Sequence, residues 1–160
     1  MKISARVDYG LQAILEIAAA SARKKRIKTD EIASKHEIPM KFLESILSDL
    51  KKAGFIEGHR GNSGGYNLAM APSEISIADV VRAIDGPLAS VRGMAPEKAT
   101  YKGNIAGLTK VWIATRVALR EVLEEMTLED ILEDDLPSQI ARKISTKEAW
   151  RRRAGGLAQG

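Results

Sequence analysis

The stretch from Gly54 to Leu68 constrains this chain most. It reads Gly54-Phe55-Ile56-Glu57-Gly58-His59-Arg60-Gly61-Asn62-Ser63-Gly64-Gly65-Tyr66-Asn67-Leu68. A glycine suits the left-handed position just beyond a helix, so the amphipathic run upstream is predicted to stop at Gly54. Two short extended runs then flank a turn of Gly, Asn and Ser, the pattern of a β-hairpin. A nucleotide phosphate loop is excluded, because no Gly-Lys-Ser/Thr follows and no helix begins there.

Three helical patterns precede the hairpin. Val7, Leu11, Ile14, Leu15 and Ala18 keep the 3.6-residue period and predict a helix from about Ser4 to Ala20, with Ser4 as its N-cap. Residues 21–27 form a basic connector, or in part a short strand beside the hairpin. Thr29 is the expected cap of a second helix, whose first acids, Asp30 and Glu31, suit the positive end of the helix dipole. His36-Glu37-Ile38-Pro39 breaks that helix, and Pro39 fits the first turn of a third that runs to about Ala53. Phe42, Leu43, Ile46, Leu47 and Leu50 share its inner side; Lys41, Glu44, Ser45, Ser48, Asp49, Lys51 and Lys52 share the other. Three helices and a small hairpin in this order describe a winged helix-turn-helix.

Downstream, Ile77, Val80, Val81 and Ile84 predict a short helix ended by Asp85-Gly86-Pro87. Residues 88–104 show no periodicity and read as a loop. A long helix is then predicted from about Asn104 to Met126. Ile105, Leu108, Trp112, Thr115, Leu119, Val122 and Met126 recur there at steps of three and four, a heptad seam. Val111, Ala118 and Leu123 widen the apolar face. The seam packs either on a second copy of the chain or on its own winged helix. A homodimer is favoured, since a winged helix covers only one side. Glu133-Asp134-Asp135 reads as an acidic bend. The tail beyond holds Arg142, Lys143, Lys147 and Arg151-Arg152-Arg153, with a short helix over 146–153 as one alternative and a solvated tail as the other.

The expected fold is therefore mainly α with a small β-hairpin: a winged helix-turn-helix plus a long C-terminal dimerisation helix. The expected parts are a DNA-binding domain over 1–86, an effector or sensor loop over 87–104, a dimerisation helix and its end over 105–132, and a charged tail over 133–160. Charge follows these divisions. Residues 1–70 carry twelve Lys/Arg against eight Asp/Glu, residues 71–136 seven against twelve, and residues 137–160 six against one. A basic reading half is the electrostatic footprint of a nucleic-acid-binding module.

Other chemistries find little support. The 160 residues contain no cysteine, which removes disulfides, thiol catalysis and thiolate-ligated clusters. His36 and His59 are the only histidines and neither has a ligand-spaced neighbour. No Ser/His/acid arrangement can be assembled, so no enzyme, metal site or cofactor is expected. No apolar run approaches the ~20 residues of a membrane span. The N-terminus enters an amphipathic pattern carrying Asp8 and Glu16 rather than a secretory signal, so a cytoplasmic location is expected.

Double-stranded DNA is the expected partner, beside a second copy of the chain and an unidentified small-molecule effector. The first turns of the third helix offer Met40, Lys41, Phe42, Glu44 and Ser45. A lysine can donate to guanine, a glutamate can accept from the cytosine amino group, and apolar groups can touch thymine methyls. Thr29 stands at a helix N-terminus, where backbone amides can hold phosphate. Arg60 sits at the hairpin tip beside Asn62, Ser63 and Gly64, suited to a narrow minor groove. Lys2 adds a cation at the N-terminus. The bland alternatives are that Glu44 pairs with a surface lysine and that residues 61–65 are only a turn. A winged-helix module assembling protein partners is the alternative function.

The residues resemble the IscR/NsrR/CymR-type winged-helix regulators, the Rrf-two family. The likeness runs through Met1-Lys2-Ile3-Ser4, Asp8-Tyr9-Gly10, Ile38-Pro39-Met40-Lys41-Phe42-Leu43-Glu44, Leu50-Lys51-Lys52-Ala53-Gly54, Arg60 to Leu68, Ile77 to Gly86 and Met126 to Ile131, roughly residues 1–132. It implies a homodimeric transcription regulator, a repressor in expectation, on a pseudo-palindromic operator. Positions matching Pro39, Lys41, Phe42, Glu44 and Arg60 are those the family uses on DNA. Cluster-binding members carry three cysteines before the dimer helix; the matching positions here are Gly93, Ala99 and Ile105. Asp8 occupies the place of an acid that completes coordination in one branch. One carboxylate without thiolates does not hold an iron–sulfur cluster, so a structural role or a loop contact is expected of Asp8.

Overall fold

The computed structural model describes residues 2–151. Met1 and the Arg152-Arg153 part of the basic tail, with the residues after it, lie outside the described residues. The chain begins with α1 (Ala5–Ala22), α2 (Thr29–His36) and α3 (Met40–Lys52), followed by the antiparallel strands β1 (Ile56–His59) and β2 (Gly65–Leu68). Ser4 caps α1 as expected: the Val7 N–H donates to Ser4 Oγ at 3.1 Å. The helix runs two residues beyond its predicted end.

The α2 start differs from expectation. Lys28, not Thr29, takes the N-cap position, and Thr29 is the first helical residue. Glu31 reaches back to accept from the Lys28 N–H at 2.8 Å, so the turn is closed from within the helix without a hydroxyl cap. At its end, Glu37 adopts φ 54° and sends buried Ile38 inward to donate to the Ala33 carbonyl. Pro39 stands at the N-cap of α3 rather than in its first turn. Its fixed φ of −58° presets the entry into the helix.

These elements close around one apolar core. Ile14, Ile17, Ile32, Leu43, Ile46, Leu47, Leu50 and Ile56 are each at most 2% exposed. Burial of one such side chain contributes about 1.5–3 kcal/mol; the helix periods place all but Ile56 on facing sides, and Ile56 reaches the core from β1. Leu11, Leu15 and Phe42, expected inside, are half-buried at its margin. The hairpin pairs Ile56 with Leu68 and His59 with Gly65. It is tied to α1 by Ser21, whose hydroxyl accepts from the Leu68 N–H at 2.9 Å and donates to the Ile17 carbonyl at 2.8 Å. The connector supplies the strand-like edge considered for it: Ile27 and Tyr66 exchange two backbone bonds, at 2.8 and 3.2 Å.

A 3-10 turn (Pro72–Glu74) leads to α4 (Ile77–Asp85), capped by Ser76. The segment expected to be irregular contains two 3-10 turns, Pro96–Lys98 and Gly103–Ile105, and buries Pro96 and Ala99. The long helix α5 (Leu108–Leu123) is shorter than predicted at both ends. Gly103 at φ +60° turns Ile105 into a separate 3-10 element, and Gly107 precedes the first α-helical residue. After α5 the chain returns to the winged helix. Ile77 N–H donates to the Met126 carbonyl at 2.8 Å, and Leu128 N–H to the Ile75 carbonyl at 3.0 Å. Leu128, fully buried, opens α6 (Leu128–Glu133) under a Thr127 cap. Asp134 turns at φ 53°, as the acidic bend requires. A further helix, α7 (Ser138–Lys143), was not anticipated; of the two alternatives for 146–153, the described part holds a short 3-10 turn at Lys147–Trp150, and Arg152 and Arg153 lie outside the described residues.

Candidate nucleic-acid interface

The inner side of α3 is spent on the core through Leu43, Ile46, Leu47 and Leu50. Its opposite side is left in solvent: Met40, Lys41, Glu44, Ser45, Ser48, Lys51 and Lys52 are all exposed. Lys41, Glu44, Ser48 and Lys51 follow one another at three and four residues, so they form a single outward ridge. Pro39 stands exposed at its head, and exposed Lys2 precedes α1. Phe42 does not join the ridge. Its ring meets Tyr9 edge-on at 5.8 Å, with the Arg6 guanidinium 5.9 Å from its centroid.

Arg6 is a residue that sequence reasoning missed. From α1 it donates to Ser45 Oγ at 3.1 Å and pairs with Asp49, two positions one turn apart on α3. The clamp reinforces the roll of α3 that its buried face sets. It also engages the Ser45 hydroxyl. A second tie holds α2. Glu16 of α1 accepts from Lys35 Nζ and lies 2.9 Å from His36 Nε2. Burial raises the Glu16 pKa, but the hydrogen bonds and charges of Lys35 and His36 outweigh it and hold the carboxyl below its ordinary value of 4.5.

The wing owes its shape to two adjacent glycines. A Cβ at Gly64 would lie 2.6 Å from the His59 carbonyl oxygen and 2.7 Å from that of Gly61. Gly65 has φ +123°, and a Cβ there would lie 2.7 Å from the Ile27 carbonyl oxygen. Only glycine lets the turn fold back and Tyr66 bond the connector. Gly64 is buried and its N–H is taken by the Gly61 carbonyl at 2.9 Å. Its part is therefore to build the tip that exposes Arg60, Asn62 and Ser63.

Between the wing, the start of α2 and the end of α3 lies a groove of about 500 Å³. It gathers Thr29, Arg60 and Gly64 with Lys28, Lys51 and Asp30. Lys51 links it to the α3 ridge. On the other side of the wing, a groove of about 440 Å³ joins Asn62, Ser63 and Gly64 to Lys24, Lys25, Arg26 and Lys28, with Glu31 beside them. Arg26 Nη1 donates to the Ser63 carbonyl at 3.2 Å. Two basic grooves thus flank the wing, while Met40, Lys41, Glu44 and Ser45 lie outside both. Lys28 escaped sequence reasoning, whereas Lys51 stands on the predicted outer side of the third helix but not among the expected site residues, although it lies seven residues after Glu44, two turns along the same face.

The seam residues are distributed over several surroundings. Leu108, Trp112, Thr115, Leu119, Val122 and Met126 are all half-buried. Trp112 Nε1 donates to the Tyr101 hydroxyl at 3.1 Å, Trp112 and Thr115 line a small recess against the 89–96 segment, and Met126 packs on the winged-helix core. No α5 residue is fully buried, and Val111 and Val117 are 51% and 45% exposed.

Residues 3–134 match the profile of the Rrf2 family, described as an iron-dependent transcriptional regulator. The fold and the match together define a winged-helix transcription regulator. This chain belongs to the Rrf2 family. A protein of Mycobacterium tuberculosis named as a helix-turn-helix-type transcriptional regulator is 44% identical over 119 residues, covering 74% of this chain and 73% of that one. CymR of Bacillus subtilis is 32% identical over 74% of this chain and 80% of its own length. The solved structure of that CymR, the global cysteine regulator, superposes with a TM-score of 0.71 at 30% identity, covering 84% of this chain and 98% of CymR. An IscR from T. potens gives 0.67 at 25% identity, over 96% and 94%. The relatives are named as regulators, not enzymes, in line with the sequence reading.

The family description speaks of iron dependence, and the residues present offer no thiolate set for an iron–sulfur cluster. The chain has no thiolate, and among the described residues no three His, Cys, Asp or Glu side chains gather into a metal site. Ala99 is fully buried, Ile105 is exposed in its 3-10 turn, and Gly93 turns at φ +77°. Asp8 is exposed and accepts from Gln12 Nε2 at 2.8 Å, one turn along α1. Among the described residues, no helix is long and apolar enough to cross a membrane.

Proposed function

We propose that this chain is a homodimeric, cluster-free, cytoplasmic regulator that represses by binding a pseudo-palindromic operator, one winged helix per half-site. The observation that carries this reading is the α3 ridge of Lys41, Glu44, Ser48 and Lys51 running into the basic groove at Arg60. Lys41 and Glu44 read base edges in the major groove with Met40 and Pro39 beside them. Arg60, Asn62 and Ser63 enter the neighbouring minor groove, and Lys28, Lys51 and the connector cations hold phosphates. Phe42 and Ser45 act through the Arg6 clamp, and Thr29 through its backbone at the start of α2. Residues 1–86 form the reading head, 87–104 the sensing segment and 105–132 the dimerisation element, joined through Leu108, Trp112, Thr115, Leu119, Val122 and Met126 with the exposed valines.

The test is salt-dependent binding of the protein to DNA from its own upstream region. Lys41→Ala and Arg60→Ala should each weaken binding by about 1–3 kcal/mol. Lys51→Ala should weaken it for all sequences alike and lower the salt slope by about 1. Unchanged binding by both Lys41→Ala and Arg60→Ala would sink the site assignment. Recovery of a stoichiometric protein partner without nucleic acid would instead favour a protein-assembly module.

A further inference from the structure

Three arginines from two different elements converge on one small cavity away from the reading face. Arg82 comes from α4; Arg116 and Arg120 come from adjacent turns of α5. The remaining wall is the 87–96 segment, including Gly93, Met94 and Pro96, and the enclosed volume is about 150 Å³. Each guanidinium has an acidic neighbour, but none of those acids lines the cavity. Arg82 spends Nη1 on Asp79 and Nη2 on Glu124, Arg116 spends Nη1 on Glu97, and Arg120 has only a loose approach to Glu124 at 3.7 Å. The Arg116 side chain is 20% exposed, and its Nε is buried without a hydrogen-bond partner among the described residues. A desolvated donor on a charged group is costly when it stays unpaired.

We propose that this cavity binds a small oxyanion, a carboxylate of two to four carbons or inorganic phosphate, held by Arg116 and Arg120. An oxyanion brings several acceptors to planar guanidinium donors, which neutral ligands of the same size do not. The recess is small, about 150 Å³, and suits a ligand of few heavy atoms. Leu88, Met94 and Pro96 supply an apolar wall against which a short carbon chain can lie. Because the cavity is walled by Arg82 of α4 on one side and by the two α5 arginines on the other, an occupant held by α5 sits between the reading head and the long helix. Its control of DNA affinity rests on the function proposed above; its binding does not.

Calorimetric titration of the full chain with acetate, pyruvate and inorganic phosphate tests the site, with acetamide as the neutral control and chloride matching ionic strength. At least one anion should saturate at one per chain, about tenfold or more tighter than acetamide. Arg120→Gln, which disturbs only the loose pair with Glu124, should weaken that anion about 10- to 100-fold, the cost of a charged hydrogen bond; Arg116→Gln should do the same. Pyruvate or acetate binding in preference to phosphate identifies the carboxylate form, and the reverse identifies the phosphate form. No saturable anion beyond the chloride control, or unchanged affinity in both variants, overturns the proposal. Operator titrations with and without the bound anion then read the coupling. Unchanged DNA affinity overturns the regulatory link, whereas absence of specific DNA binding both with and without the anion overturns the proposed function and leaves the anion site standing.

Discussion

The winged helix and α5 are both built from amphipathic helices, yet they end in opposite conditions. In the first, the inward side chains of α1, α2 and α3 meet one another, and Ile14, Ile46 and Leu50 are fully buried. In α5 no side chain is fully buried, and Val111 and Val117 stand about half exposed. The difference teaches where the fold is self-sufficient. The reading half satisfies its apolar faces within one chain, whereas α5 retains an unmatched one. A lone winged helix and a lone α5 would therefore respond very differently to substitution.

The largest expected effect falls on the complete half. Leu50→Ala should cost about 2–5 kcal/mol of folding stability, seen as a lower midpoint in urea with an unchanged slope. Next comes Val111→Asp, which should leave the thermal midpoint of the winged helix nearly unaltered while shifting sedimentation from dimer to monomer. A loss of about 2 kcal/mol or more in association is expected for a central interface position, and a variant that still sediments like wild type would place the dimer contact elsewhere. Thr127→Ala removes the cap of α6 and should cost about 1 kcal/mol, read in thermal unfolding. The smallest change belongs to Glu16. Its carboxyl is held below the ordinary value in the folded chain, so its contribution is present above pH 4.5 and is lost as pH falls through the lowered folded value. Glu16→Gln should flatten the stability profile in that acid window by under about 1 kcal/mol, since Lys35 is largely exposed.

The same contrast explains what could be read before the fold was seen. The helix order, the Ser4 cap and the hairpin were legible because each is written in neighbouring residues: a period, a hydroxyl, paired glycines. The Thr29 cap was misplaced by one residue because Glu31, a side chain three positions on, closes the turn instead. The predicted start of α5 at Asn104 overlooked that Gly103 and Gly107 divide a continuous apolar pattern into two elements. The six-residue α7 buries only Ile140, too little to create a period. What stayed hidden in the site was long-range. Arg6 meets Ser45 and Asp49 across 39 and 43 residues, and Arg82 meets Glu124 across 42. Side-chain type announces a capacity for such pairs, but only packing chooses them.

The two backbone bonds that join residues 75–77 to 126–128 carry a geometric consequence. They make the far end of α5 continuous with the reading head, where a free linker would have let the head swing. In a dimer built on α5, the distance between the two heads is then a dimension of the fold, and the operator is measured with a ruler as well as read with letters. Base pairs inserted at the operator centre would be felt as strain at that clip before they were felt at any base contact.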